Sequence, residues 1–187
     1  STDWLAAHLN DPDVRVADVR WYLFDKDKTG RSEYTRGHIP GAIYLDIDTD
    51  LADHAAPGPG RHPLPRADAF GESMARAGIG ANTRVIAYDD RGGTTAARLW
   101  WLLRYFGHDQ VSLLDGGIAQ WIAEGRAVQT EIPNVTRAEF VAHPRPELVV
   151  GKEAIIALQN NPRALILDVR VAERYEGKIE PIDPRAG

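Results

Sequence analysis

Hydrophobic residues along this chain gather in short runs separated by longer amphipathic stretches. Val14-Arg15-Val16-Ala17-Asp18-Val19-Arg20 reads as a strand that runs into a charged end. Ala42-Ile43-Tyr44-Leu45, Val85-Ile86-Ala87-Tyr88 and Val111-Ser112-Leu113-Leu114 read as further strands. Helical patterns fall between them. Ser1, Thr2 and Asp3 offer caps for a helix through Leu5 and Leu9. Phe70, Met74 and Ala77 recur at helical spacing, and Gly78 follows as a stop. Residues 95–106 form a helix that is apolar on most faces and ended by Gly107, so it should be largely buried. Gly116-Gly117 opens a helix through Ile118, Trp121 and Ile122 to Gly125. Residues 52–66, with Pro57, Gly58, Pro59, Gly60, Pro63 and Pro65, read as a loop. Strands that alternate with helices predict an α/β fold: a parallel sheet with helices on both faces.

The pattern then starts again. Residues 126–150 carry Pro133, Pro144 and Pro146 without a clear period and read as a connector. Residues 151–160 look like a helix with Ile155, Ile156 and Leu158. Ala164-Leu165-Ile166-Leu167-Asp168-Val169-Arg170 repeats the first strand, with the same Asp-Val-Arg ending. After the first copy the chain reaches Gly37-His38-Ile39-Pro40-Gly41-Ala42; at the matching distance after the second it reaches Ala186-Gly187. The expected organisation is one copy over 1–125, a connector over 126–150, and the start of a second copy over 151–187. A length of 187 residues fits one domain plus part of another.

Composition narrows the chemistry. Hydrophobic residues at 43% and charged residues at 26% are ordinary for a globular chain. No apolar run approaches the ~20 residues of a membrane span, and a net charge of -5 argues against a nucleic-acid surface. Cysteine is absent, which excludes disulfides, thiolate metal sites and any cysteine nucleophile within these residues. The six histidines show no metal-ligand spacing, and no metal or other cofactor is expected.

Asp89-Asp90-Arg91-Gly92-Gly93-Thr94 joins a strand to a helix N-terminus, the local architecture of an anion cradle. A thiol at its start would become a thiolate nucleophile. Asp89 stands there instead; a carboxylate is a poor nucleophile toward sulfur and its charge repels anions, so this loop should be chemically silent. His38 reads as a hydrogen-bonded turn histidine, Asp18 and Asp168 as residues that satisfy loop backbone, and Trp100 and Trp101 as core and interdomain packing.

These residues taken together resemble the two-domain rhodanese-type sulfurtransferases, which act on thiosulfate or 3-mercaptopyruvate. The matching stretches are Asp18-Val19-Arg20, Gly37-His38-Ile39-Pro40-Gly41-Ala42, Tyr88-Asp89-Asp90, Arg98-Leu99-Trp100-Trp101, Phe106-Gly107-His108, Leu113-Leu114-Asp115-Gly116-Gly117, Asp168-Val169-Arg170, Glu173-Arg174-Tyr175 and Glu180-Pro181. The resemblance implies a rhodanese-like fold in which the first copy is inactive and Asp89 replaces the nucleophile. The catalytic cysteine would then lie in a second domain, inside which this chain ends. In the implied reaction a cysteine thiolate takes the sulfane sulfur of a small anionic donor and the persulfide passes it to a thiol or cyanide.

By the same resemblance Arg174 and Arg185 match donor-binding arginines, for which solvated surface arginines are the plain alternative. Asp48 and His62 match a proton relay that favours 3-mercaptopyruvate; a turn cap and an exposed loop histidine are the alternative. The implied partner is the remaining C-terminal half, with no nucleic acid and no membrane, in the cytoplasm. A non-catalytic rhodanese-like binding module and a phosphatase of the related fold are the rival readings.

Overall fold

A strand pattern that is apolar at both odd and even positions needs cover on both sides. In the computed structural model, which describes residues 1–25, 27–55 and 60–183, that cover is present. Strands β1 (Val14–Asp18), β2 (Ile43–Tyr44), β3 (Arg84–Tyr88) and β4 (Val111–Leu113) form a parallel sheet in the order β2-β1-β3-β4. Five helices accompany it: α1 (Thr2–His8), α2 (Gly30–Arg36), α3 (Ala67–Arg76), α4 (Ala96–Tyr105) and α5 (Gly117–Ala123). Ala17, Val85, Ala87 and Val111 face Phe70 and Met74 of α3 and Leu99, Leu102 and Leu103 of α4. Val14, Val16, Ile86 and Tyr88 face Leu5 of α1 and Ile118 and Trp121 of α5. Each fully buried Leu or Phe contributes about 1.5–3 kcal/mol, against roughly 0–1 for an exposed ion pair, so these two layers dominate stability.

The chain steps from β1 outward to β2, then returns to place β3 on the other side of β1. The gap between the ends of β1 and β3 is therefore the switch point, where open α/β sheets bind ligands. No helix among the described residues is long and apolar enough to cross a membrane.

Helix α2 has no counterpart in the sequence expectation. Its start is a capping box: the Ser32 backbone N–H donates to Thr29 Oγ1 and the Thr29 N–H donates to Ser32 Oγ, both at 3.0 Å. Serine does here what Glu or Gln usually does, which hides the signal. Residues 126–150 also differ from a bare connector. The chain separates into two compact units, Ser1–Pro146 and Glu147–Gly187, and residues 135–145 form a strap on the first. The Ala138 N–H donates to the Ala75 carbonyl at 3.0 Å and the His143 N–H to the Phe106 carbonyl at 2.9 Å. Arg137 binds Glu72 and Arg145 binds Asp109, each through two hydrogen bonds. Glycines make the bed: a Cβ on Gly78 or Gly107 would lie 3.0 Å from Thr136 O or His143 Cβ.

The second unit contains α6 (Lys152–Leu158) and α7 (Ala172–Tyr175). Residues 164–170, expected as a strand, form none, and Leu165, Leu167 and Val169 stand exposed. A strand needs a neighbour to complete its ladder, and the second unit has no strand among its described residues to supply one. The repeat survives in local geometry. Arg20 and Arg170 each donate their backbone N–H and guanidinium to the Asp two residues earlier, with Nη2–Oδ2 distances of 2.6 and 2.7 Å.

Gly30 sets the entry of α2. A Cβ there would sit 1.8 Å from the Arg20 carbonyl oxygen and 2.3 Å from the Tyr44 hydroxyl. Gly30→Ala should therefore cost about 3 kcal/mol in urea unfolding, the upper end for overpacking. Gly41→Ala, at φ 76° but with open space around it, should cost only about 1 kcal/mol. Equal effects would refute the steric assignment.

Candidate functional site

At the switch point a buried polar network closes the end of β1. The Asp18 carboxylate accepts from the Arg20 backbone, from the Arg20 guanidinium, and from the Tyr88 hydroxyl at 2.7 Å. Arg20 Nη2 also donates to the Gly37 carbonyl at 2.8 Å, and Tyr88 Oη accepts from the Ile39 N–H at 3.3 Å. His38 is fully buried, donates Nδ1–H to the Tyr34 carbonyl at 2.8 Å and stacks on the Tyr34 ring at 3.9 Å. It is a turn histidine with no open nitrogen for chemistry.

The loop after β3 carries an anion of its own. Asp89 Oδ1 accepts from the N–H groups of Arg91 at 2.9 Å and Gly93 at 2.8 Å. Its Oδ2 accepts from the N–H groups of Thr95 at 2.7 Å and Ala96 at 2.9 Å, and from the Thr95 hydroxyl at 3.0 Å. Burial pushes the Asp89 carboxyl up, but the Ala96, Arg91, Gly93 and Thr95 N–H groups outweigh it and hold the acid below its ordinary range. The cradle is thus formed and filled. Asp89 occupies the N–H groups that would otherwise face an anion.

Asp90 and Arg91, next in the loop, have partners of their own. The Tyr22 hydroxyl donates to Asp90 Oδ2 at 2.5 Å, and Lys28 Nζ lies 3.9 Å from that oxygen. The Arg91 guanidinium lies over the Tyr22 ring at 4.9 Å. Gly92 and Gly93 take φ of 68° and 89°, and Thr94 Oγ1 donates to the Arg91 carbonyl at 2.7 Å.

Asp48 and His62 meet across their loop. His62 Nε2 lies 3.0 Å from Asp48 Oδ1. Two residues absent from the sequence expectation join them. Trp21 Nε1 donates to Asp48 Oδ2 at 2.7 Å, and its ring meets His62 edge-on at 5.1 Å. His54 Nε2 lies 3.4 Å from the same Oδ1 that His62 uses. Burial lowers the His62 pKa; Asp48 opposes this, and Arg98 and His54 reinforce it. The imidazole is consequently neutral near pH 7 with its ring fixed by a carboxylate, the state that can accept a proton. No sequence pattern links Trp21 to Asp48, since the pairing exists only once β1 and β2 are adjacent.

In the second unit Arg174 is not free. Its Nη2 donates to Glu180 Oε1 at 2.9 Å and to Asp183 Oδ2 at 3.0 Å. The Asp183 N–H, then Arg174 and the Ile182 N–H, pull the Glu180 carboxyl down to about 2. Arg185 lies outside the described residues. Among the described residues no three His, Asp or Glu side chains are grouped to hold a metal ion.

A parallel sheet with this loop after β3 and this buried Asp-Val-Arg corner can be set beside known proteins. The rhodanese-like domain family matches residues 1–124. The 3-mercaptopyruvate sulfurtransferase of Escherichia coli (strain K12) is 36% identical over 186 residues, covering 99% of this chain and 64% of that protein. Thiosulfate/3-mercaptopyruvate sulfurtransferase 2 of Arabidopsis thaliana is 40% identical over 134 residues, 72% of this chain and 38% of that protein. The crystal structure of SseA from Escherichia coli, a 3-mercaptopyruvate sulfotransferase, superposes with a TM-score of 0.86 at 34% identity, covering 97% of this chain and 69% of SseA. This chain belongs to the rhodanese-like domain family. It spans under two thirds, 64%, of the length of the E. coli relative.

Occupancy of the cradle by Asp89 makes a two-part prediction. Because the folded carboxyl is depressed, its stabilisation is complete above the unfolded value of ~3.9 and is lost as pH falls through the folded one. Wild type should exceed Asp89→Asn by about 2–4 kcal/mol at pH 7 in urea unfolding, and the gap should close toward pH 3. Asp89→Ala should gain thermal stability from added sulfate more than wild type does, because the emptied N–H groups can take the ion. A pH-independent gap with no sulfate effect would contradict the geometry.

Proposed function

We propose that this chain is the N-terminal part of a tandem-domain rhodanese-type sulfurtransferase that moves a sulfane sulfur from 3-mercaptopyruvate or thiosulfate to a thiol or cyanide. On this reading residues 1–125, with their strap, are the inactive copy; the connector ends near 150; and residues 151–187 begin a catalytic copy whose cysteine lies outside this sequence. The observation that carries it is Asp89. An intact strand-loop-helix cradle filled by its own side chain is what a duplicated active site becomes when its nucleophile is replaced and its fold kept. The matching corners at Asp18–Arg20 and Asp168–Arg170 support duplication, and both relatives named above are sulfurtransferases.

The chemistry divides accordingly. The thiolate of the second domain attacks the donor sulfur, forming an S–S bond as the bond to pyruvate or sulfite breaks and its electron pair leaves with that anion. From 3-mercaptopyruvate the leaving group is an enolate, which must gain a proton. Neutral His62, oriented by Asp48, is suited to take the thiol proton that the donor sulfur gives up, through a partner group in the second domain, and to return it to the enolate carbon. Arg174 and Arg185 are assigned to the anionic end of the donor. For Arg174 this requires that the donor displace Asp183 or Glu180 from the guanidinium, a like-for-like exchange of carboxylates.

A second reading, a non-catalytic rhodanese-like module, is favoured by the filled cradle taken alone. The two part at the parent reading frame. The enzyme reading expects a further His-Ile-Pro-Gly, then a strand, a Cys-led loop of about six residues and a helix. A second loop led by Asp or Ala would remove it. This chain alone should release neither pyruvate nor sulfite from donor. In the longer protein His62→Gln should lower kcat on 3-mercaptopyruvate by about a hundredfold or more. A variant as active as wild type would remove the relay assignment.

A further inference from the structure

We infer that Arg98 is a positioning residue for the Asp48–His62 pair, clamping both ends of the segment that carries His62 onto α4. The inference rests on the relay reading of that pair. Arg98 lies on α4, the helix whose N-terminus is held by Asp89. Its Nε and Nη2 donate to the Leu51 carbonyl at 2.9 and 2.7 Å. The same Nη2 donates to the carbonyls of His62 at 2.9 Å and Pro63 at 3.2 Å. The Asp53 N–H donates to the Pro63 carbonyl at 3.3 Å and closes the same neck.

The choice of partners is unusual for an arginine. A half-buried guanidinium normally recovers its desolvation cost from a carboxylate. Here, among the described residues, every hydrogen-bond acceptor of Arg98 is a backbone carbonyl. What a planar fork gains from carbonyls that lie on both sides of a loop is geometry: Leu51 and Pro63 are fixed at one distance from α4, and the His62 backbone is fixed with them. A lysine carries the same charge but is a point donor without the fork.

The charge has a second consequence. The groups that face His62 are Asp48, His54, Arg98 and the Trp21 ring. Asp48 favours the imidazolium, whereas burial, Arg98 and His54 oppose it. Arg98 thus sets the loop in place and adds to the burial that, against Asp48, disfavours the imidazolium of His62.

The test uses Arg98→Met and Arg98→Lys. In this chain, histidine resonances report the His62 titration, and amide exchange at Asp53 reports the neck of the loop. Arg98→Met should move the His62 midpoint upward and raise Asp53 exchange about tenfold or more. Arg98→Lys should restore the midpoint while leaving the exchange fast. In the longer protein, Arg98→Met should lower kcat on 3-mercaptopyruvate with little change in KM and shift the acid limb of the kcat–pH profile upward; Arg98→Lys should return that limb toward wild type. An unmoved His62 midpoint with unchanged Asp53 exchange in Arg98→Met would overturn the positioning role. His62→Gln tests the relay separately: if it stays active, that reading fails, while the titration and exchange of Arg98→Met still decide the clamp.

Discussion

The carboxylate of Asp89 is where three elements of the first unit are tied. Its two oxygens cap the N-terminus of α4 through the Thr95 and Ala96 N–H groups and hold the loop through Arg91 and Gly93. The backbone carbonyl of the same residue accepts from the Ile118 N–H of α5 at 3.1 Å. The approach is so close that a Cβ on Gly117, at φ 56°, would fall 2.2 Å from that oxygen. Residue 89 therefore joins the end of β3 to a helix on each face of the sheet. A helix N-terminus left unsatisfied and buried would cost free energy at every unpaired N–H. In a cradle meant for substrate that demand is met transiently by the ligand; here it is met permanently by the chain.

Other features follow from a sheet end closed in this way. The Asp18–Arg20–Tyr88 network completes the closure on the neighbouring strand and leaves His38 as a packed turn residue. After β2, Asp48 and His62 meet on a loop whose two ends are held by Arg98 from α4. The helix anchored by Asp89 thus also anchors His62. The carboxylate that fills the cradle therefore also steadies the helix from which Arg98 reaches the His62 backbone.

Much of the fold is legible in the residues. The apolar runs at 14–20, 85–88 and 111–114 and the glycine stops at 78, 107 and 125 carry their meaning locally, and the elements lie where those signals put them. Asp48 and His62, which the family resemblance singled out, do come together. What escaped was information stored elsewhere in the chain. The strap over 135–145 has no period of its own; its bed is written in Gly78 and Gly107, far away in sequence. Helix α2 begins at a capping box in which serine replaces the usual acid or amide. Residues 164–170 have the composition of a strand but no neighbour in the second unit. Arg174 reads as an open cation until Glu180 and Asp183 fold back on it. Asp89 itself reads in the sequence as a repulsive charge, since no sequence pattern reveals that a side chain is the ligand of its own loop.

The closed end of the sheet requires that Asp89 be ionised and hydrogen-bonded within the cradle at ordinary pH. Carbon-13 observation of the aspartate carboxyl groups during acid titration measures this directly. The Asp89 resonance should keep the shift of a carboxylate through the range where a model aspartate titrates, near ~3.9, and change only at lower pH. A midpoint at or above that value would mean that burial, and not the ring of N–H donors, governs this side chain, and the picture of a self-filled cradle would fail.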